Sequence, residues 1–522
     1  MMKRTILLIL LLGILSACVP VSSPDTSQQS WWRNTVFYEI FVRSYCDSNG
    51  DGIGDFNGIT SKLDYLQSLG ITGIWLMPIN PSPSYHGYDV LDYYAVNPQY
   101  GTMDDFKNLL AEAHKRGIRV IIDLVLNHTS SQHPYFVDAN SNPQSPYRDW
   151  YIWADSNPGS HWYAGTNGYY YAFFGSDMPD LNYKNPDVTA EMYKVVRYWL
   201  KDVGIDGFRI DAVKDLIEEG LKLEDTQSTH AWLRNFYKMY KAENPQAFTV
   251  GEVYGAGAFV AKVYTGDQMD QIFNFEMADG ITGSALGGSN TGINSAITFA
   301  LEDMPGGEYA TFLTNHDQNR IMSTLNGNVG KAKVAASLLL TSPGTPFIYY
   351  GEEIGMEGEK PDEDIRRPMQ WSEADNAGFT TGIPWRVPAE NYQQANVADE
   401  TNDPNSLLSH YRNLIMIRNQ HPALRYGSIS SVSTNNTGVY AALRVSDSET
   451  ILILLNLTKN PINNYALSLK TASFPDGSYQ IDPILGSGMG ASLSISGGVF
   501  NNSQPLAELS PFSTSILLIS LK

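Results

Sequence analysis

The feature that most constrains this chain is an alternation of short strand-like runs with helical ones. Eight runs rich in β-branched and aromatic residues recur: 36–45 (VFYEIFVRSY), 71–79 (ITGIWLMPI), 119–128 (RVIIDLVLNH), 207–213 (GFRIDAV), 248–254 (FTVGEVY), 271–277 (QIFNFEM), 310–317 (ATFLTNHD) and 345–353 (TPFIYYGEE). Helical patterns separate most of them, for example at 59–70 and 103–117. Such alternation predicts an α/β fold with a parallel sheet and helical crossovers. Eight repeats predict that the sheet closes into a (β/α)₈ barrel. One connection is abnormal, because the 57 positions 129–185 separate the third run from the next helix. A loop that long is usually a functional insertion. Asn185 and Pro186 suit the start of that helix, and Val188, Met192, Val195, Trp199 and Val203 line one of its faces.

Beyond about residue 429 the pattern changes. GVYAALRVS, TILILLNLT, NYALSLK and STSILLISLK follow one another with no helical run between them. They predict an antiparallel β-sandwich over 429–522. The expected organisation is therefore a barrel from 31–128 and 186–428, an inserted domain at 129–185, and the sandwich.

Formal net charge is −20, from 55 acidic against 35 basic residues. Such a surface repels phosphate backbones, which argues against nucleic acid as a partner and favours a neutral or cationic ligand. At the start, Lys3 and Arg4 precede an apolar run over 6–15, too short to span a bilayer permanently. Leu15-Ser16-Ala17-Cys18 resembles a bacterial lipobox. That resemblance implies a signal peptide at 1–17, lipidation of Cys18, and a tether at 18–30; a plain secretory signal is the alternative. The expectation is an exported monomer that faces the cell exterior or periplasm and touches the membrane only through lipid. The chain has two cysteines. With Cys18 lipidated, Cys46 has no intramolecular partner, so the fold rests on its core and on any metal it binds.

Residues 46–58 read CDSNGDGIGDFNG. Asp47, Asn49, Asp51, the carbonyl of Ile53 and Asp55 have the spacing of the first half of an EF-hand. Gly58 stands where that loop needs a bidentate Glu, so a calcium sensor is excluded. A structural Ca²⁺ loop is expected; a Gly/Asp-rich turn with solvated carboxylates is the alternative.

In a (β/α)₈ barrel the active site lies at the C-terminal ends of the strands. Asp123, Asn127 and His128 end the third run, Arg209 and Asp211 the fourth, Glu252 the fifth, His316 and Asp317 the seventh. Arg209 and Asp211 alone would pass for a structural ion pair. Carboxylates, an arginine and two histidines together at one mouth point to chemistry, since acids inside apolar runs are costly unless paired or used.

Those segments carry a resemblance. DLVLNH (123–128), GFRIDAVK (207–214), GEVY (251–254), FLTNHD (312–317), MPDLN (178–182), HGYDV (86–90) and YYGEEIGM (349–356) are similar to signature regions of the α-amylase family of glycoside hydrolases. The resemblance implies a TIM barrel (domain A), an inserted domain B and a sandwich domain C. It implies that Asp211 is the nucleophile, Glu252 the general acid/base and Asp317 the stabiliser of the cationic sugar. Arg209 would hold Asp211 ionised, His128, His316 and Lys214 would bind substrate, and Tyr88 would stack beneath the sugar. Retaining hydrolysis needs one ionised and one protonated carboxyl about 5–5.5 Å apart. Glu252 has no charged partner nearby in sequence and lies among Val250, Val253 and Tyr254, which should raise its pKa. The aromatic insert (151–174) serves as its own core or as sugar-stacking platforms.

The resemblance also bears on metal and on branch. Loops like 47–55 bind calcium in the oligo-1,6-glucosidase branch. A second family calcium site matches Asn127, Asp180 and the carbonyl of Asp215, although many members have His in place of Asp215. RRPMQW (366–371) resembles oligo-1,6-glucosidases, whereas Ala212-Val213-Lys214 resembles α-amylases, which cut α-1,4 bonds. The expected substrate is starch or another α-glucan or maltooligosaccharide. Alternatives are a cyclomaltodextrinase or glucosyltransferase, which a missing extra N-terminal domain disfavours in the first case, and an α-1,6-glucosidase. Non-catalytic barrels of this family typically lose triad carboxylates, and all three are present here.

Overall fold

The eight runs all reach the sheet, but each strand is shorter than its run. The computed structural model describes residues 30–304, 306–470, 474–486 and 492–521. Its barrel strands are β1 (Phe37–Ile40), β2 (Gly73–Leu76), β3 (Arg119–Leu124), β4 (Gly207–Ile210), β5 (Phe248–Gly251), β6 (Gln271–Ile272), β7 (Ala310–Thr311) and β8 (Thr345–Tyr349). They pair in parallel in the order β7-β8-β1-β2-β3-β4-β5-β6. A parallel bridge from Phe273 to Ala310 closes the ring.

The missing strand residues have local causes. After Ile40 the chain enters a helical turn, Val42–Tyr45. After β6, the Asn274 side chain accepts from Met277 N and starts the helix Phe275–Gly287. β7 is two residues long, and β8 gives way to a short turn at Glu352–Ile354. β-branched and aromatic composition marks a buried run without fixing where a side-chain cap ends it.

Aromatic rings fill the lower barrel. Phe37 stacks on Phe347 at 4.4 Å and on Phe248 at 5.5 Å, Trp75 meets Phe273 at 5.5 Å, and Trp32 stacks beneath Phe248. Side chains alternate along a strand. The inward positions two residues beyond Phe37, Ile121, Gly207 and Val250 are Glu39, Asp123, Arg209 and Glu252, so this apolar floor supports a polar layer. Gly207 is required for close packing: a Cβ there would lie 2.0 Å from the Phe248 carbonyl oxygen.

The helices follow their sequence signals. Thr102 and Asp105 form a capping box for Met103–Lys115. Segment 59–70 divides into Phe56–Ser61 and Leu63–Leu69. Asn185 caps Pro186–Arg197, whose apolar face continues through a π-wound stretch, Tyr198–Val203.

The insertion contains a helix, Pro134–Ser141, and a small antiparallel sheet of Trp153–Ala154, Gly168–Tyr171 and Trp162–Gly165. Phe136 packs against Tyr151, Trp153 and Tyr170. Tyr151, Tyr170 and Tyr171 are buried as core of this unit, whereas Phe173 and Phe174 line a cleft. The bridge His128–Asp180 ties its return segment to the barrel rim, and Tyr151–Leu181 joins that segment to the rest of the insertion. Beyond Gly427, a six-stranded and a three-stranded antiparallel sheet share a core that includes Val439, Leu454, Leu469, Phe500 and Leu517. Cys46 is buried as a free thiol. The expected signal peptide, Cys18 and all of the expected tether but Ser30 lie outside the described residues. Among the described residues no helix is long and apolar enough to cross a membrane.

Candidate active site

Arg209 stands at the centre of the polar layer, 1% exposed, with its guanidinium carbon 5.3 Å from the Trp75 ring. One of its terminal nitrogens donates to Asp123 Oδ1 (2.9 Å) and Asp211 Oδ1 (2.6 Å), the other to Glu252 Oε2 (2.7 Å). One guanidinium thus faces three carboxylates. Glu252, without a charged partner nearby in sequence, gains one in space. β4 and β5 are adjacent in parallel register, with Arg209 opposite Val250, and this brings Glu252 within reach. Burial nevertheless raises Glu252 to about 7; Arg209 opposes the rise, and Asp211 and Asp317 add to it. Asp123 is raised to about 6, again mainly by burial.

The opposite wall is built around His316. Its Nδ1 donates to Glu39 Oε1 (2.6 Å), and its Nε2 lies 2.7 Å from the Tyr88 hydroxyl and 3.2 Å from Asp317 Oδ2. Burial opposes its charge, but Asp317 and Glu39 outweigh burial and push its pKa up to about 10. Both nitrogens of His316 are engaged, so it positions Asp317 and Tyr88 at the mouth of the cleft. Burial alone would raise Asp317. His316 and Arg366 instead hold it well below the usual carboxylate range. Arg366 donates to Asp317 Oδ1 (2.8 Å) and to the His316 carbonyl (2.8 Å).

These groups open into a cleft of about 500 Å³ lined by Tyr88, His128, Phe174, Asp211, Glu252 and Asp317, among others. The Tyr88 ring stacks on His316, and its hydroxyl donates to Asp123. His128 is buried with Nε2 unpartnered, and burial lowers its pKa, so the neutral imidazole is favoured there. Lys214 reaches Glu224 Oε2 at 2.5 Å on the cleft wall. Ala212, directly after Asp211, has φ 45° and ψ 46°. A left-handed alanine costs on the order of 1 kcal/mol, and the bond from Val213 N to the Glu252 carbonyl helps hold the turn.

Two positions escaped the sequence reading. Glu39 gave a signal as a lone acid inside an apolar strand. Arg366 sat in RRPMQW, a motif read only for its branch resemblance, and its contact with Asp317 spans 49 residues.

The predicted calcium loop is closed by its own hydrogen bonds. Asp47 accepts from the backbone N–H groups of Asn49, Gly50 and Gly52 and from Thr380. Asn49 accepts from Asp51 N, and Asp51 from Ile53 N. Asp55 accepts from Ser48 and caps the following helix through Gly58 N. Among the described residues no three His, Cys, Asp or Glu side chains converge as a metal site. Asp47, Asn49, Asp51 and Asp55 are all oxygen donors with lone-pair capacity beyond these bonds, so their chemistry suits a hard cation.

The second predicted set is more open. Asn127 Nδ2 donates to Asp180 Oδ2 at 3.2 Å. Asn127 Oδ1, Asp215 Oδ1 and the Tyr171 hydroxyl are buried without partners. Burial, with Glu218 nearby, raises Asp180 well above the usual range, and burial raises Asp215 to about 7. Orphaned oxygens beside buried acids fit a hard cation. Tyr171, Glu218 and the side chain of Asp215 were not foreseen in this set.

Residues 39–427 match the family model described as "Alpha amylase, catalytic domain". The chain is 43% identical to "Alpha-amylase 3" of Dictyoglomus thermophilum over 442 residues, covering 83% of this chain and 86% of the relative. It is 34% identical to an oligo-1,6-glucosidase of Parageobacillus thermoglucosidasius, covering 83% and 92%. The α-amylase structure from H. orenii superposes with a TM-score of 0.80 at 38% identity, covering 93% of this chain and 99% of that one. With eight parallel barrel strands and these matches along most of its length, the chain belongs to the α-amylase family of glycoside hydrolases.

Proposed function

We propose that the protein is a retaining α-glucan hydrolase that cleaves α-1,4 bonds of starch and maltooligosaccharides. The carrying observation is the single Arg209 guanidinium bonded to both Asp211 and Glu252, which favours the short carboxyl spacing of retaining enzymes, about 5–5.5 Å. Asp211 attacks the anomeric carbon while Glu252, raised to about 7, gives its proton to the leaving oxygen. A glycosyl ester forms on Asp211. Glu252, now a base, takes a proton from water, and the resulting attack frees the sugar. Asp317, kept ionised by His316 and Arg366, faces the positive charge that develops on the ring. His128 presents an unpartnered nitrogen to a sugar hydroxyl, and Tyr88 offers its ring face.

Bond preference rests on Ala212-Val213-Lys214 and on the 43% identity to an α-amylase. RRPMQW and the oligo-1,6-glucosidase relative favour the α-1,6 alternative. A product profile on starch, cyclodextrin, pullulan and isomaltose decides between them. Rapid hydrolysis of isomaltose with little action on starch would overturn the α-1,4 reading.

Calcium belongs to the same proposal, with Asp47, Asn49, Asp51, the Ile53 carbonyl and Asp55 as one donor set and Asn127, Asp180 and Asp215 as the other. Calcium bound only by the folded chain stabilises it. The folded-state values of Asp180 and Asp215 are raised, so the native state binds more protons than the unfolded one from the ordinary carboxylate range up to about 7. Metal-free stability from these groups therefore falls as pH rises through that window, and the calcium response should grow across it. Thermal melts of wild type and Asp51→Ala, with chelator and with added calcium, locate the ion. Loss of the response in Asp51→Ala assigns the rim loop; an undiminished response assigns Asn127 and Asp180; no response in wild type removes calcium.

The basic leader and Cys18 support an exported lipoprotein. Cys18→Ser should move the protein out of the membrane fraction, and continued membrane association would refute lipid anchoring at Cys18.

A further inference from the structure

Away from the cleft, positive charge is concentrated where the barrel meets the C-terminal sheets. Arg418 and Arg444 are 2% and 0% exposed. Arg418 donates to the carbonyls of Leu340, Ser342 and Gly344, and Arg444 to those of Thr341 and Gly427. Several of these carbonyls lie at the C-terminal end of the helix Val329–Thr341, where the helix dipole favours cations. Carbonyls orient the two guanidinium groups but supply no opposite unit charge. Burial lowers Arg418 to about 9, with Arg444 and Arg425 adding repulsion, and burial lowers Arg444 to about 10. Buried charge without a counter-ion is costly.

Arg33, Arg425 and Arg444 line one cavity of about 170 Å³, far above the ~10–15 Å³ that one water needs. No acidic residue is among its lining groups. Arg33 is satisfied by Glu308 Oε1 at 3.0 Å and by the Gly306 carbonyl. Arg444 has carbonyl partners at both terminal nitrogens but no counter-ion, and among the described residues Arg425 has neither. Arg444 Nε and Arg425 Nε are buried without partners, and among the described residues the Arg425 guanidinium has no hydrogen-bond acceptor. Tyr309 adds a phenol to the wall.

We propose that this cavity binds a small oxyanion of the phosphate class, held by Arg425 and Arg444. The free guanidinium fork of Arg425 matches the paired oxygens of such an anion, and Arg444 contributes its charge and its unpartnered Nε. Arg425 lies on the connecting helix Pro422–Tyr426, Arg444 on the strand Val439–Val445, and the remaining wall includes barrel residues such as Met304 and Pro343. The anion therefore braces the C-terminal module against the barrel and takes no part in hydrolysis.

The test uses the full chain in metal-free buffer, with inorganic phosphate titrated at constant ionic strength against chloride, in wild type and Arg425→Gln. Arg425→Gln breaks no hydrogen bond of the guanidinium, so the variant should fold. Wild type should show a saturable heat of binding and a saturable rise in melting temperature of about 2–4 °C. Arg425→Gln should bind at least tenfold more weakly, with starch hydrolysis unchanged. A non-saturating rise, or the same rise in both proteins, would reflect the general exclusion of phosphate from protein surfaces and overturn the site, as would absence of binding heat in wild type.

Discussion

Replacing Asp211 by Asn should lower turnover on starch by on the order of 10⁴-fold while the protein still folds. The side chain keeps its shape and loses its ability to form the glycosyl ester. Folding should survive because Arg209 keeps two carboxylate partners, Asp123 at 2.9 Å and Glu252 at 2.7 Å. The buried guanidinium is therefore not stranded, which is the circumstance that makes the loss of an ion-pair partner severe. Steady-state kinetics and a thermal melt on the same preparation check both halves. A loss of only a fewfold would remove Asp211 from the nucleophilic role, and an unfolded variant would show that Asp123 and Glu252 do not compensate Arg209.

Glu252→Gln should lower starch hydrolysis by on the order of 10³-fold, and should slow the first step of glucosides with good leaving groups much less. Such leaving groups depart without a proton, so they do not need the acid. Equal losses on both substrates would argue against Glu252 as the acid. The pH profile carries the same assignment. The acid works only when protonated, and Glu252 is raised to about 7, chiefly by burial. Activity present below that value should fall as pH rises through it, giving kcat/KM an alkaline limb near neutrality. His316, raised to about 10, stays protonated across that limb, so it does not cause it. In Glu252→Gln the residual activity should lose this limb. A limb at the same pH in the variant would assign it to another group.

The sequence by itself determined the order of elements and the candidate triad. Alternation of strand and helix periods set the barrel, and the two-residue period of a strand put Arg209 and Asp211 on one face at one strand end. Caps such as Thr102 and Asn185 fixed helix starts locally. Only the tertiary structure decided the state of those groups. Glu252 meets Arg209 across 43 positions, His316 meets Glu39 across 277, and Asp317 meets Arg366 across 49. The same holds for the unpartnered Tyr171 and Asp215 beside Asp180, and for the arginines behind the C-terminal sheets. Local periodicity acts through neighbouring residues on the chain and so is legible in order. Charge acts through distance and desolvation in space, and both exist only once remote strands are in register around a closed barrel.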